Sequence, residues 1–129
     1  MTFRTFRLAA ALLMPAVPLH AQDPAAAEFV VHINEPFYSF ETMGDTVTVT
    51  SPSDLEGTAV PTQRRVEGDA THVMGVYRGE AFSLTIVRKA CEDDMAGLAY
   101  SHRATLAMGE VRTEGCARLT TEPQPHEGD

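Results

Sequence analysis

Apolar and polar residues alternate at every second position through most of the chain. "EFVVHIN" sets Phe29, Val31 and Ile33 on one face against Val30, His32 and Asn34 on the other, and "TVTVTS" sets Val47 and Val49 against three threonines. "THVMGVYRG" opposes Met74 and Val76 to Val73 and Tyr77, "EAFSLTIVRK" collects Phe82, Leu84 and Ile86, and "RATLAMG" collects Ala104, Leu106 and Met108. A period of two is the mark of half-buried strands. Turn residues punctuate these runs at Gly44-Asp45, Pro52-Ser53, Gly68-Asp69 and Arg78-Gly79-Glu80. Gly79-Glu80 and Gly109-Glu110 read as two-residue hairpin loops. The pattern predicts an all-β fold: a small antiparallel meander closed or nearly closed into a barrel.

Three stretches depart from it. "PSDLEGTAVPTQRRVEGD" lacks periodicity and reads as a long loop with a ragged strand near Thr62 to Val66. "CEDDMAGLAYSH" reads as a helical turn or a compact loop, with Asp93 placed to cap the backbone donors of "MAGL". At "INEPFY" the strand meets Pro36, which has no N–H, so the ladder must bend or end. Two of the aromatics that follow are expected in the core, with Tyr38 alternating outward. Met74, Met95 and Met108 read as core fillers, and Arg64 and Arg65 as solvated charges.

The ends differ from the middle. Arg4 and Arg7 precede an apolar run to about Leu19, which is short and holds Pro15 and Pro18. These features predict a signal peptide over 1–21 and no transmembrane segment in the mature chain. Residues 22–27 read as a flexible lead, 28–119 as the barrel domain and 120–129, Pro-rich and acidic, as a disordered tail. The expected location is the periplasm or the medium, and the expected state is a monomer.

The formal charge is -8, and without residues 1–21, which hold two arginines and no acids, it is 8 - 18 = -10. Nucleic acid requires a cationic footprint, so the balance argues against it as a partner. Cys91 and Cys116 are the two cysteines. In an exported chain an even pair predicts a disulfide.

"INEPFYSFE" and "CEDDMAGLAYSHRATLAMGEVRTEGCARL" together resemble a family of small bacterial envelope proteins. Its members open on a G-N-E-P-x-W-like motif and close on C-x-D-x-M-S-G, an aromatic, a last strand and G-C-A or G-C-G. The matching positions are Asn34, Glu35, Pro36, Cys91, Asp93, Met95, Gly97, Tyr100, Gly115, Cys116 and Ala117. Ile33, Tyr38 and Ala96 stand where the family has glycine, tryptophan and serine. The resemblance implies an exported, disulfide-clipped β-domain and has no established chemistry to lend. "AGLAY" is more faintly similar to the S-G-x-x-Y-like loop of periplasmic inhibitors of C-type lysozyme.

Catalytic chemistry finds no support in spacing. G-x-S-x-G, P-loop and Rossmann glycine patterns do not occur, and no cofactor motif is present. His32, His72 and His102 form the candidate metal set if their strands are neighbours, though without H-x-H or H-E-x-x-H spacing, and each reads more simply as a polar residue on an outward face. The reading is therefore of a non-enzymatic domain that binds a small ligand or protein in the envelope through Asn34, Glu35, Tyr38, Asp93, Met95, Gly97 and Tyr100. The alternatives are an inhibitor of lysozyme or another cationic hydrolase, and a metal protein or enzyme built on the three histidines.

Overall fold

A computed structural model describes residues 26–125. The expected signal peptide, most of the lead and the last four residues of the tail lie outside them. Among the described residues ten strands follow one another: β1 (Phe29–Ile33), β2 (Tyr38–Met43), β3 (Thr46–Ser51), β4 (Asp54–Glu67), β5 (Ala70–Tyr77), β6 (Glu80–Val87), β7 (Cys91–Asp93), β8 (Leu98–Tyr100), β9 (His102–Met108) and β10 (Val111–Leu119). Eight close into an antiparallel barrel in the order β1-β10-β9-β6-β5-β4-β3-β2, and β7 and β8 form a separate hairpin.

The turns explain the meander. Gly44, Gly68 and Gly109 each open a two-residue loop with φ of 61°, 58° and 58°, the glycine-first pattern of type II′ hairpins, whose twist suits antiparallel strands. The β5–β6 loop is Arg78-Gly79, one residue earlier than the spacing suggested, because Tyr77 pairs with Glu80. Both loop residues take positive φ, 49° and 80°, the requirement of a type I′ turn.

The alternating runs point inward as expected. Phe40, Ile33, Leu84, Ile86, Leu106, Val31, Val47, Val49 and Val73 are fully buried and fill the barrel. Tyr38 and Phe40 share a face, so Tyr38 packs against this core while Phe37, at the turn, is 43% exposed. That reverses the expected places of Phe37 and Tyr38. The cause is that β1 ends outright at Ile33 and β2 restarts at Tyr38 opposite it, so residues 34–37 form a hairpin connection that resets the alternation. Among the methionines of the described residues only Met108 is buried, and Met74 and Met95 face outward.

The ragged strand expected near Thr62 to Val66 is present, but the rest of the aperiodic stretch is strand as well and not a loop. Together they are the long strand β4, whose first part pairs with β3 and whose last part pairs with β5. Its inward face carries Val60 and the polar Thr62 and Arg64, so apolar alternation is absent although strand geometry is present. Arg64 is not a solvated charge. It donates from Nη1 to the Ala27 carbonyl (2.6 Å) and from Nη2 to Glu28 Oε2 (2.9 Å). Glu28 also accepts from the Thr42 hydroxyl and from the Gly44 N–H at 2.8 Å. These bonds close the base of the barrel, and Ala27 is buried there, so the ordered domain begins before residue 28.

The far end is likewise tied down past Leu119. Thr120 N–H donates to the Glu28 carbonyl at 2.9 Å, and the Glu122 carboxylate accepts from Leu119 N–H (2.9 Å) and Ser101 Oγ (2.6 Å). The expected disordered tail therefore starts with an anchored turn.

Candidate functional site

The candidate site forms where the hairpin β7–β8 lies across the outer face of β1 and β10. Of the expected helical turn one bond is found, from Gly97 N–H to the Asp93 carbonyl at the tip, and the rest of residues 91–100 is a hairpin rather than a compact loop. Cys91, Glu92 and Asp93 pair with Tyr100, Ala99 and Leu98. Cys91 is bonded to Cys116, with the Cα atoms 5.6 Å apart. Cys116 sits opposite His32 in the β1–β10 ladder, so the clip fastens the hairpin over that seam. Cys91, Cys116, Tyr100 and Leu98 make a small second core there.

Asp93 turns the hairpin. Its Oδ1 accepts from the N–H groups of Met95 (3.0 Å) and Ala96 (3.3 Å), and its carbonyl accepts from Gly97 N–H (2.7 Å). Capping was the role expected of it, and aspartate suits it by offering acceptors two and three residues ahead. Gly97 supplies φ of 67°. The same Oδ1 accepts from Asn34 Nδ2 at 2.7 Å. The tip of the hairpin is thus bonded to the turn between β1 and β2, and that turn is held to β10 by the Thr113 hydroxyl, which donates to the Glu35 carbonyl at 3.0 Å.

A cleft of about 500 Å³ opens between hairpin and barrel, with His32, Asn34, Glu35, Asp93, Met95 and Arg103 on its walls. Glu92, Asp94 and Glu114 add carboxylates, and Arg103 Nη1 stands 3.9 Å from Glu114 Oε2. Met95 at the tip is 73% exposed. Burial, helped by the Arg118 charge and opposed by Asp93, holds the His32 imidazole below its usual pKa. Burial, with the Asp93 charge, pushes the Tyr100 phenol up.

Asn34, Glu35, Asp93 and Met95 therefore meet in one place. The other three expected residues do not. Tyr38 lines a different cleft of about 460 Å³ at the barrel mouth, with Phe37, Ser51, Tyr77 and Arg78. Gly97 shapes the turn, and Tyr100 is buried beneath the hairpin with its ring 5.9 Å from His32. Sequence reading missed Arg103 and Glu114, which come to the cleft from β9 and β10. Only the pairing of Cys116 with Arg103 and of Glu114 with Thr105 in the last hairpin would have revealed them.

The three histidines are not brought together. His32 is on the outer face of β1, and His72 on β5 pairs its Nδ1 with Thr85 Oγ1 at 3.2 Å. His102 faces inward, contrary to the outward placement expected of it, with its ring 5.3 Å from Phe29. Among the described residues no group of three His, Cys, Asp or Glu side chains is arranged to hold a metal ion. No protein family, curated protein or solved structure matches the chain.

Proposed function

We propose that this protein is an exported, non-catalytic binding domain of the cell envelope that grips a basic protein partner between the tip of hairpin β7–β8 and the turn at Asn34-Glu35. The observation that carries this reading is the covalently clipped, hydrogen-bonded tip. It holds an exposed methionine among Glu35, Glu92, Asp94 and Glu114 without further ordering on binding. A prearranged loop loses little conformational entropy when it docks, and its carboxylates steer a cationic surface toward it. The barrel interior is occupied by Phe40, Ile33, Leu84 and Leu106, which favours a surface partner over a carried small ligand.

The partner class that best suits a projecting acidic loop is a basic hydrolase with an open cleft, lysozyme among them. The inserting element is the tip at 94–97, because Tyr100 is packed under the hairpin. In a turbidity assay of bacterial cell-wall lysis, the protein should slow lysozyme at molar excess, and Asp94→Lys with Met95→Glu should abolish the effect. Undiminished lysis at excess would remove the hydrolase class. Failure to retain any basic protein at low ionic strength would remove the binding reading as a whole.

A further inference from the structure

The connection between β1 and β2 is a wall shared by two clefts. Asn34 and Glu35 line the cleft under the hairpin, and the next three residues, Pro36, Phe37 and Tyr38, line the mouth cleft of about 460 Å³. The two recesses therefore adjoin across residues 34–37, which the Asn34–Asp93 and Thr113–Glu35 bonds hold in place. Two charged side chains reach the mouth cleft, and they differ in what they are free to do. Arg78, though half-exposed, is committed: Nη1 donates to Ser53 Oγ at 3.0 Å, Nη2 stands 3.7 Å from Asp54 Oδ2, and Cζ lies 5.4 Å from the centroid of the Tyr77 ring. The Asp54 carboxylate offsets that charge. Glu80 lines the same cleft and is exposed, and among the described residues no basic side chain forms an ion pair with it.

We infer that the mouth cleft takes a lysine or arginine side chain of the same basic partner, as a second subsite of the surface proposed above. The identity of the partner rests on that reading, whereas the subsite rests on this cleft. Such a side chain has an apolar stem and a charged head. The cleft offers a counterpart to each: the rings of Phe37 and Tyr38 with Pro36 and Pro52 for the stem, and the Glu80 carboxylate for the head. The Phe37 ring, 43% exposed, can also receive the cation on its negative face. An anionic group would meet the unpaired Glu80 in a chain of formal charge -8, with the guanidinium of Arg78 already engaged. A wholly apolar group would take water from Glu80 and return no partner to it. Continuity supports the same occupant, because a basic segment resting on Asn34-Glu35 has the mouth cleft directly beside it across Pro36.

Amide chemical shifts of the isotopically labelled chain, with its disulfide intact and at low ionic strength, test this during titration with tetralysine. The amides of Phe37, Ser53 and Glu80 should move along with those of Asp94 and Met95 at the hairpin tip, and tetraglutamine should move neither group. Phe37→Ala with Glu80→Gln should weaken the response at the mouth about three- to tenfold and leave the response at the tip unchanged. Both side chains are exposed, and unaltered shifts of the barrel core in the free variant show that it is folded. A response at the tip alone would overturn the subsite and leave the proposed function standing. A response at the mouth alone would uphold the subsite and count against the hairpin as the grip. No response at either place would overturn both, and an equal response to tetraglutamine would overturn the choice of a cationic occupant.

Discussion

Asn34 donates from Nδ2 to Oδ1 of Asp93 across 2.7 Å, although 59 positions separate the two residues. That oxygen also receives two backbone N–H groups of the hairpin tip. One carboxylate therefore folds the tip and moors it to the barrel. Asp93→Ala should remove both functions and cost about 1–3 kcal/mol, the penalty of leaving donors without their acceptor. Asn34→Ala should cost less and should be silent in an Asp93→Ala background. Hydrogen exchange over residues 91–100 measures the loosening directly, and additive effects of the two substitutions would contradict the shared-acceptor account.

The clip holds the other end of the same hairpin. Joining Cys91 to Cys116, 25 positions apart, stabilises the fold by about 3–4 kcal/mol if loop closure in the unfolded chain dominates. Urea unfolding of the Cys91→Ser, Cys116→Ser variant should show that loss, together with raised exchange at Tyr100. A midpoint equal to that of the parent would mean the hairpin stays in place without its covalent link.

Gly115 lies where β10 crosses β1, and a Cβ added there would stand 2.1 Å from the His32 carbonyl oxygen and 2.6 Å from Ile33 Cδ1. The first contact is with backbone and cannot be relieved by a rotamer change. Gly115→Ala should destabilise by about 3 kcal/mol or more, through strain at the seam that the clip covers. Gly75→Ala meets mainly the Phe82 ring, at 2.9 Å, and should cost less because a side chain can shift. Thermal unfolding of the two variants ranks them.

Tyr38 and Glu35 are neighbours of the same turn with opposite roles. Tyr38 packs on the core beside Phe40, ring centroids 6.0 Å apart, while Glu35 is exposed. Tyr38→Ala should lower stability by about 2–4 kcal/mol, whereas Glu35→Ala should change it by less than about 0.5 kcal/mol. Equal losses in chemical denaturation would show that Glu35 is structural too.

Acid should weaken the protein in two stages. His32 and His102 have folded pKa values held below 6.5, by burial first and then by the charges of Arg118 and Arg88 respectively, against the opposing pull of Asp93 and Glu122. The unfolded chain binds those protons more readily, so stability is full above about pH 6.5 and falls as the pH drops toward the folded values. Glu28 follows lower down. Burial raises its pKa, but the Thr42 hydroxyl, the Gly44 N–H and Arg64 together outweigh this and hold it below 4.5. Its contribution is present above the unfolded value and disappears as the pH falls through the folded one. His102→Gln should shrink the upper stage to the share of His32, and Glu28→Gln should flatten the lower, read as the pH dependence of the unfolding midpoint.

Much of the barrel is legible in the sequence. Period two along β1, β3, β6 and β9 states which side chains face inward, because a strand sends successive residues to opposite faces whatever surrounds it. Glycine-led turns between those runs state that neighbours are antiparallel. The cysteine pair and the capping task of Asp93 were equally readable, the first from the oxidising context that an exported chain implies, the second from local backbone chemistry. Long-range placement was not. Of β4 only the part near Thr62 to Val66 was readable, as a ragged strand, because its inward positions hold Thr62 and Arg64, and the arginine there makes sense only once Glu28 is known to lie opposite it. His102 turned inward and Tyr38 moved to the core side for the same reason. Each depends on where the β1–β2 connection resets the alternation and on what the base of the barrel must satisfy.

Local rules thus determined strands, turns and the covalent clip, since propensity, pleat and turn geometry act over a few residues. The meeting of Asn34 with Asp93, the recruitment of Arg103 and Glu114, and the separation of Tyr38 from the cleft were decided only by closure of the barrel. Closure fixes register between strands far apart in the chain, and no spacing within a single run encodes it.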